Sequence, residues 1–165
     1  MVILGIDPGS VITGFSVLER DTKSKGNFKV VDFGCVIAQS HFSTGEKLEE
    51  IYNEVSKLIK KYRPDVMSIE NVFFFKNLKT VMPVSQTKGV ILLAAAEKKV
   101  PVMEFTPLQV KMAIAGYGRA EKKQVQKMIE QTLDIDHLDL KKKFRKKDDA
   151  YDAIAVALCA AIKQY

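Results

Sequence analysis

The chain begins with an apolar run that ends in a single carboxylate. Residues 2–6 are Val-Ile-Leu-Gly-Ile, and they lead directly into Asp7, Pro8 and Gly9. A run this apolar predicts a strand buried on both faces of a sheet, and the Pro-Gly pair predicts a tight turn after it. Burying a carboxylate at such a place costs free energy unless a cation or hydrogen bonds compensate it. Asp7 therefore either organises the turn or belongs to a binding site.

The size and composition of the chain predict one folded domain spanning residues 1–165. Apolar residues make up 47 % of the chain and charged residues 28 %, which is ordinary for a globular protein. The longest apolar run lies near residues 89–96 and is too short to cross a bilayer, and the N-terminus lacks a secretory signal. Cys35 and Cys159 lie far apart without metal-ligand spacing, which favours reduced, buried thiols. We expect a cytoplasmic protein with no membrane partner.

The charge of the chain favours a polyanionic partner. The net charge is +6 and the pI is near 9.2. Residues 141–147 alone contain six cations, within a polar segment that spans residues 134–147. Excess lysine also occurs as solubilising surface, and this segment is equally consistent with a solvated loop. Both descriptions can hold if the loop also contacts nucleic acid.

The order of the predicted elements indicates an α/β fold with a five-stranded mixed sheet flanked by helices. The expected strands are residues 2–7, 13–18, 28–38, 65–70 and 101–105. Short links between the first three strands predict an antiparallel meander. A helix signal at Ser43–Glu46 and a stop at Pro64 predict a crossover helix, so the fourth strand runs parallel to the first. Further helices are expected from near Val84, from Pro107, from Ala120 and from near Lys147.

Two of these strands end in a carboxylate. Glu70 closes the fourth strand much as Asp7 closes the first. If the two strands lie side by side, the two charges repel, and one carboxylate protonates unless a divalent cation lies between them. Unrelated surface carboxylates at two strand ends are the alternative.

The last predicted helix begins with a second acidic group. Asp149 and Asp152 are three residues apart and share one helical face. Capping by Asp148 or Asp149 would explain acidic residues in a first helical turn. Asp152 is harder to explain in that way, because small apolar residues flank it and its face is expected to point inward.

Together the acidic residues suggest a metal site. Oxygen ligands without paired cysteine or histidine favour Mg²⁺ over zinc, with Mn²⁺ able to substitute. Two such ions about 4 Å apart are the usual device for in-line displacement at a phosphodiester.

An aromatic segment follows Glu70. Phe73, Phe74 and Phe75 are consecutive, and Lys76 comes next. Aromatic rings with lysines just beyond a carboxylate cluster suggest base stacking beside phosphate contacts. Some of these rings can instead pack on the core or on a second subunit, and the sequence does not decide which of the three stacks on DNA.

The order of the elements looks like the ribonuclease-H-like fold, and within it the chain resembles the RuvC family of Holliday-junction resolvases. The resemblance covers almost the whole length. It is carried by Leu4–Ser10 with Thr13-Gly14, by Ile69–Phe73, Gln109–Lys111 and Gly116–Lys122, and by Gln124-Val125 and Asp149–Ala153. Several separate motifs in the right order make it specific. The loop formed by residues 136–147 is longer and more basic than the loop expected at this place in the family.

The resemblance implies particular roles for the matching residues. Asp7, Glu70, Asp149 and Asp152 would hold two Mg²⁺ ions at the active site. Phe73 would stack on bases near the crossover, and the phosphate-contacting lysines of the family match Lys111 and Lys122. Lys122 would also act in catalysis.

The resemblance also implies the substrate and the partners. It implies a homodimer that nicks two strands of like polarity in four-way junction DNA and leaves 5′-phosphates, during recombination and repair. The RuvA–RuvB branch-migration complex would be the protein partner.

Two other function classes share part of this sequence pattern. Actin-like ATPases and sugar kinases share the Gly-Ile-Asp start, but 165 residues are too few for their two lobes, and a second glycine-rich phosphate loop is missing from this sequence. A module that binds branched DNA without cutting it is the other alternative. The presence of all four acidic residues argues against it.

Overall fold

The apolar run at the start of the chain forms the central strand of the sheet. The computed structural model describes residues 1–24, 27–39, 41–71, 78–133 and 147–163. Its strands are β1 (Val2–Asp7), β2 (Ile12–Arg20), β3 (Phe28–Ile37), β4 (Val66–Glu70) and β5 (Val102–Phe105). They lie in the order β3-β2-β1-β4-β5. Strand β1 pairs antiparallel with β2 and parallel with β4, so the predicted meander and crossover are both confirmed.

Helices cover both faces of this sheet. They are α1 (Thr44–Tyr62), α2 (Leu78–Glu97), α3 (Pro107–Ala115), α4 (Lys122–Thr132) and α5 (Lys147–Lys163). Along β1, Ile3 belongs to the core shared with α3, α4 and α5, whereas Leu4 and Ile6 belong to the core shared with α1 and α2. The strand is therefore buried from both sides, as its composition predicts. Among the described helices, none combines the length and the apolar character that a bilayer-spanning segment needs.

Local capping chemistry sets the ends of α1. The Ser43 hydroxyl accepts a hydrogen bond from the Glu46 backbone N–H, and the Glu46 carboxylate accepts one from the Ser43 N–H at 2.7 Å. This reciprocal pair satisfies two backbone donors at the helix start. At the other end Arg63 adopts a left-handed conformation with φ 46° and donates to the Ile59 carbonyl. Pro64 follows, so the helix cannot continue.

The second helix begins earlier than the sequence suggests. We expected it to start near Val84, but α2 begins at Leu78 and contains Pro83. Proline removes one backbone hydrogen bond inside a helix, at a cost in free energy. Val81 lies in the turn before Pro83 and is only 4 % exposed. Burial of this side chain offsets the missing bond and keeps the first turn helical.

Helix α5 lies unusually close to the sheet because glycines face it. A Cβ atom at Gly5 would lie 2.4 Å from the carbonyl oxygen of Ala153 and 2.6 Å from the Cβ of Ala157. A Cβ at Gly14 would lie 2.1 Å from the carbonyl oxygen of Asp149. Real side chains cannot occupy such positions, so these two glycines are required where the helix backbone meets the strands.

Buried serines fasten the same helix to the sheet. The Ser16 hydroxyl on β2 donates to the Ala153 carbonyl at 2.9 Å, and the Ser68 hydroxyl on β4 donates to the Val156 carbonyl at 2.7 Å. Both serines are fully buried, and each hydroxyl has a partner, so neither carries a desolvation penalty. These two bonds fix the position of α5 along its axis relative to β1, β2 and β4.

We expect Gly5→Ala to destabilise the protein by about 1–3 kcal/mol, because the new methyl group overlaps α5 and forces the helix away from the sheet. The measurement is urea denaturation followed by circular dichroism. Gly45→Ala is the matched control, since a Cβ there meets nothing within 4 Å and the residue lies in α1. That control should leave stability unchanged or raise it by about 0.5–1 kcal/mol. Equal stability of the two variants would contradict the close packing.

Candidate metal centre

The carboxylates at the ends of β1 and β4 lie side by side. The parallel register pairs Ile6 with Ile69, so Asp7 and Glu70 are the next residues on the two strands. Their carboxyl groups lie close enough for each to shift the pKa of the other. The arrangement predicted from the sequence, in which two acidic strand ends meet at one edge of the sheet, is confirmed.

The start of α5 brings two more carboxylates to the same point. Oxygen atoms of Asp7, Asp149 and Asp152 all lie within 4.8 Å of one another, and each of the three residues is partly buried. We call these three residues the carboxylate cluster; Glu70 adjoins it through Asp7. Asp149 and Asp152 share a helical face as their spacing predicts. Because α5 begins at Lys147, Asp148 and Asp149 lie inside its first turn.

Burial and like charge make full ionisation of these groups costly. The pKa of Asp7 is raised well above its usual value, mainly by burial and further by the charges of Glu70, Asp152 and Asp149. Burial and the charge of Asp152 raise the pKa of Glu70. Burial also raises the pKa of Asp152, although its hydrogen bond to Lys122 opposes the shift. The described residues around the site therefore compensate its negative charge only in part.

Lys122 is the cation nearest to the carboxylate cluster in the part of the chain that the structure describes. Its Nζ atom donates to Asp152 Oδ2 at 2.7 Å and lies 3.6 Å from Asp148 Oδ2. Burial lowers the pKa of Lys122, but the hydrogen bond to Asp152 and the charges of Asp148 and Asp149 outweigh burial, so the net shift is upward. Lys122 is therefore charged and points into the site from the first residue of α4.

A cleft joins the carboxylates to a second lysine. It has a volume of about 230 Å³, and Glu70, Asp152, Lys111 and Lys122 contribute its charged side chains. Its remaining walls are apolar and come from α3, α4 and α5: Pro107, Val110, Val125 and Ala155. Lys111 also lowers the pKa of Glu70 through its charge, although burial outweighs it. Both lysines singled out from the sequence thus lie beside the acidic groups.

The donor set fits a hard divalent cation. Among the described residues, the ligand atoms that the site offers are carboxylate oxygens, and Mg²⁺ and Mn²⁺ prefer such ligands. A cation would also remove the repulsion that raises the pKa values of Asp7 and Glu70. Asp7, Asp149 and Asp152 would hold it directly, with Glu70 adjoining.

The predicted DNA-binding aromatics lie outside the described residues. This applies to Phe73, Phe74 and Lys76, and also to most of the basic segment 136–147. Their placement toward DNA stays a prediction. They flank the site in sequence, because Glu70 and Asn71 precede the aromatic segment and α5 follows the basic one.

The sequence did not lead us to the residues that hold α5 close to the sheet. Gly5 and Gly14 were noted only as parts of motifs, and Ser16 and Ser68 were not singled out. A glycine inside an otherwise apolar buried strand is a known sign of close backbone approach, so the signal was present for Gly5. A polar hydroxyl at a buried strand position was the corresponding signal for the serines, since such a group needs a partner.

Comparison with known proteins gives one consistent family. A family model described as crossover junction endodeoxyribonuclease RuvC matches residues 3–160. RuvC of Alkaliphilus metalliredigens is 47 % identical over 162 residues, which are 98 % of this chain and 93 % of that protein. RuvC of Fusobacterium nucleatum is 44 % identical over 158 residues, which are 96 % of this chain and 78 % of that protein.

A solved structure agrees with these relatives. The structure of Thermus thermophilus RuvC in complex with Holliday junction substrate superposes with a TM-score of 0.86. It is 29 % identical, and the match covers 99 % of this chain and 94 % of that chain. The likeness confirms the ribonuclease-H-like fold expected from the sequence.

The raised pKa of Asp7 predicts how stability depends on pH in the absence of metal. Between the pKa of unfolded aspartate and the raised pKa in the fold, the native state binds more protons than the unfolded state. Stability therefore falls as pH rises through that window, and Asp7→Asn removes the contribution of Asp7. In EDTA, we expect the variant to be more stable than wild type at about pH 8, by on the order of 1 kcal/mol, and the difference to shrink toward about pH 4.

Urea denaturation of both proteins across this pH range measures the difference. Adding Mg²⁺ at about pH 8 should stabilise wild type more than the variant, because an ion that binds only the folded state stabilises it. A stability difference that does not change with pH would contradict the electrostatic description of Asp7.

Proposed function

Since the chain belongs to the RuvC family of crossover junction endodeoxyribonucleases, we propose that it is a metal-dependent endonuclease that resolves four-way DNA junctions by paired symmetric nicks. The observation that carries the proposal is the carboxylate cluster, in which Asp7, Asp149 and Asp152 converge within 4.8 Å. A module that only binds branched DNA has no need for such convergence, and its electrostatic cost would be unexplained. The non-cleaving alternative is therefore the weaker one.

We propose that two Mg²⁺ ions bind at Asp7, Glu70, Asp149 and Asp152, and that Mn²⁺ can replace them. When bound, the ions would supply activation of the attacking water and stabilisation of the leaving 3′ oxygen, so that each nick leaves a 5′-phosphate. The protein contributes rigid placement, because Asp7 and Glu70 end paired strands and α5 is fastened to the sheet by Ser16. Because the ligands are held rigidly, the site does not have to reorganise during the reaction.

We propose that the two cleft lysines, Lys111 and Lys122, contact the scissile phosphate. Lys122 lies 2.7 Å from Asp152 and is charged, and Lys111 lines the same cleft. An ammonium group beside the scissile phosphate would offset the negative charge that grows on phosphorus in the transition state. Lys122 must exchange its bond to Asp152 for the phosphate, and a cation at Asp152 would favour this exchange by competing for the carboxylate.

We propose that Phe73 and Phe74 stack on bases near the crossover and that Lys76 contacts phosphate. The proposal is supported by their position in the sequence, directly beyond Glu70, and by the net charge of +6. Stacking on aromatic rings tolerates any base, which suits recognition of DNA shape rather than sequence.

We propose that the protein acts as a homodimer, so that two sites cut two strands. Helix α2 supports this proposal, because Met82 and Leu93 are 63 % and 53 % exposed and lie eleven residues apart on one helical side. Gly89 lies between them, and a Cβ there would meet nothing within 4 Å of the described chain. An exposed apolar helix side with a glycine at its centre suits the close approach of a second copy.

Three further expectations remain proposals that rest on the family. They are the RuvA–RuvB partner complex, a cytoplasmic location, and a single domain over residues 1–165. The last is supported by the pairing of β1 with β4 and by the packing of α5 against β1, which bring both ends of the chain to one sheet.

The direct test compares a labelled four-way junction with a linear duplex of matched sequence, each incubated with Mg²⁺ or with EDTA. We expect symmetric nicks in the junction alone, and only with Mg²⁺. Asp7→Asn should bind the junction as wild type does but cut it at least about 10³-fold more slowly, because a ligand that supports several kcal/mol of transition-state stabilisation is lost. Equal cutting of both DNAs would contradict the assignment as a junction resolvase. Tight junction binding without any cut would favour the non-cleaving module.

The lysine assignments predict a loss of rate rather than of affinity. Lys111→Met and Lys122→Met should each lower the single-turnover rate by about 10²-fold, since each removes charge that acts mainly in the transition state. The affinity for the junction should change far less. Lys127→Met is the control, because Lys127 is an exposed lysine on α4 like Lys122. An affinity loss with an unchanged rate would make the cleft lysines ordinary phosphate contacts.

A further inference from the structure

A partly buried lysine on α2 bonds to residues that adjoin Glu70 and its neighbouring strand. The side chain of Lys88 on α2 is 13 % exposed, and its Nζ atom donates to Asn71 Oδ1 at 2.6 Å and to Glu104 Oε2 at 2.5 Å. An ammonium group has three donors, and two of them are used here. Because removing a charge from water is costly unless the charge is hydrogen-bonded, these two contacts compensate the partial burial of the Lys88 ammonium group. The Glu104 carboxylate is itself 41 % exposed.

The two acceptors belong to the strand ends that carry Glu70. Asn71 directly follows Glu70, and its backbone N–H donates to the Phe105 carbonyl at 2.7 Å. Strand β5 pairs with β4 in a register that sets Glu70 opposite Phe105 and Ile69 opposite Glu104. Lys88 therefore bonds to both strands at the edge of the sheet where the acidic groups meet.

We propose that Lys88 is a positioning residue that holds the carboxyl end of β4, through Asn71 and Glu104, so that the Glu70 carboxylate stays directed at Asp7. The proposal rests on the proposed function in one respect, which is that Glu70 is taken as a metal ligand. Groups behind a ligand that fix its direction strengthen metal binding, and their loss commonly lowers metal affinity by 10–100-fold.

The same lysine connects the site to α2. Lys88 lies beyond the aromatic segment in the chain, whereas Asn71 is the last described residue before it. The hydrogen bond between them thus joins the two sides of the segment that carries Phe73 and Phe74. The Lys88 ammonium group therefore contacts the residue that follows Glu70 and precedes the predicted DNA-contacting segment.

The test measures metal binding directly, without DNA. Titration of the metal-free protein with Mn²⁺, followed by electron paramagnetic resonance of the unbound ion, gives the affinity of wild type and variants at a temperature well below unfolding. We expect Lys88→Met to weaken Mn²⁺ binding by about tenfold, at the low end of the range because Lys88 acts through Asn71. Lys98→Met is the matched control, since Lys98 is an exposed lysine just beyond α2, and it should bind Mn²⁺ as wild type does.

Rescue distinguishes positioning from a purely structural role. Lys88→Arg keeps a charged group with several donors and should restore most of the Mn²⁺ affinity. Asn71→Leu removes one of the two acceptors and should also weaken Mn²⁺ binding. The combined variant should lose no more affinity than Lys88→Met alone, because Lys88→Met already breaks the bond to Asn71. If Lys88→Met does not fold, Asn71→Leu still decides the matter. Wild-type Mn²⁺ affinity in either Lys88→Met or Asn71→Leu would overturn the proposal.

Cleavage of the junction by wild type is scored separately. If the wild-type protein cuts the junction and Lys88→Met binds Mn²⁺ with unaltered affinity, the proposed function stands and the role of Lys88 is rejected. Weakened Mn²⁺ binding in Lys88→Met alongside a wild-type protein that never cuts the junction would support the role of Lys88 and reject the resolvase.

Discussion

The site depends on how closely α5 approaches the sheet. Asp7 comes from a strand, whereas Asp149 and Asp152 come from a helix, so their carboxylates converge only because the helix lies close to the sheet. Gly5 and Gly14 remove the side chains that would keep the helix away. Two buried serine hydroxyls then hold the helix in register through its carbonyl oxygens. Backbone contact, rather than side-chain packing, sets the geometry of the acidic groups.

The cost of this convergence explains the cations around it. Burial and mutual repulsion raise the pKa values of Asp7, Glu70 and Asp152, so the folded protein is under electrostatic strain without metal. Lys122 relieves part of that strain by bonding to Asp152. Under the proposed function, a bound divalent cation would relieve the rest of this repulsion. Local stability would then be lower without the ion than with it, as is common at catalytic sites.

Much of the site could be predicted from sequence because its signals are local. Asp7 and Glu70 each end an apolar strand, and parallel strands bring their carboxyl ends to one edge. Asp149 and Asp152 have helical spacing. The start of α2 was mispredicted, because burial of Val81 outweighs the local effect of Pro83. The Lys88 contacts were not predictable from pattern, since residues 71, 88 and 104 are far apart in sequence and meet only in the fold.

The most direct measurement of the central claim is anomalous X-ray diffraction from crystals of the protein with Mn²⁺ and a four-way junction that carries uncleavable linkages. We expect two Mn²⁺ peaks, ligated by Asp7, Glu70, Asp149 and Asp152, with Lys122 no longer bonded to Asp152. Crystals in which these carboxylates hold no ion, while Mn²⁺ is bound only elsewhere, would contradict a metal centre at this site.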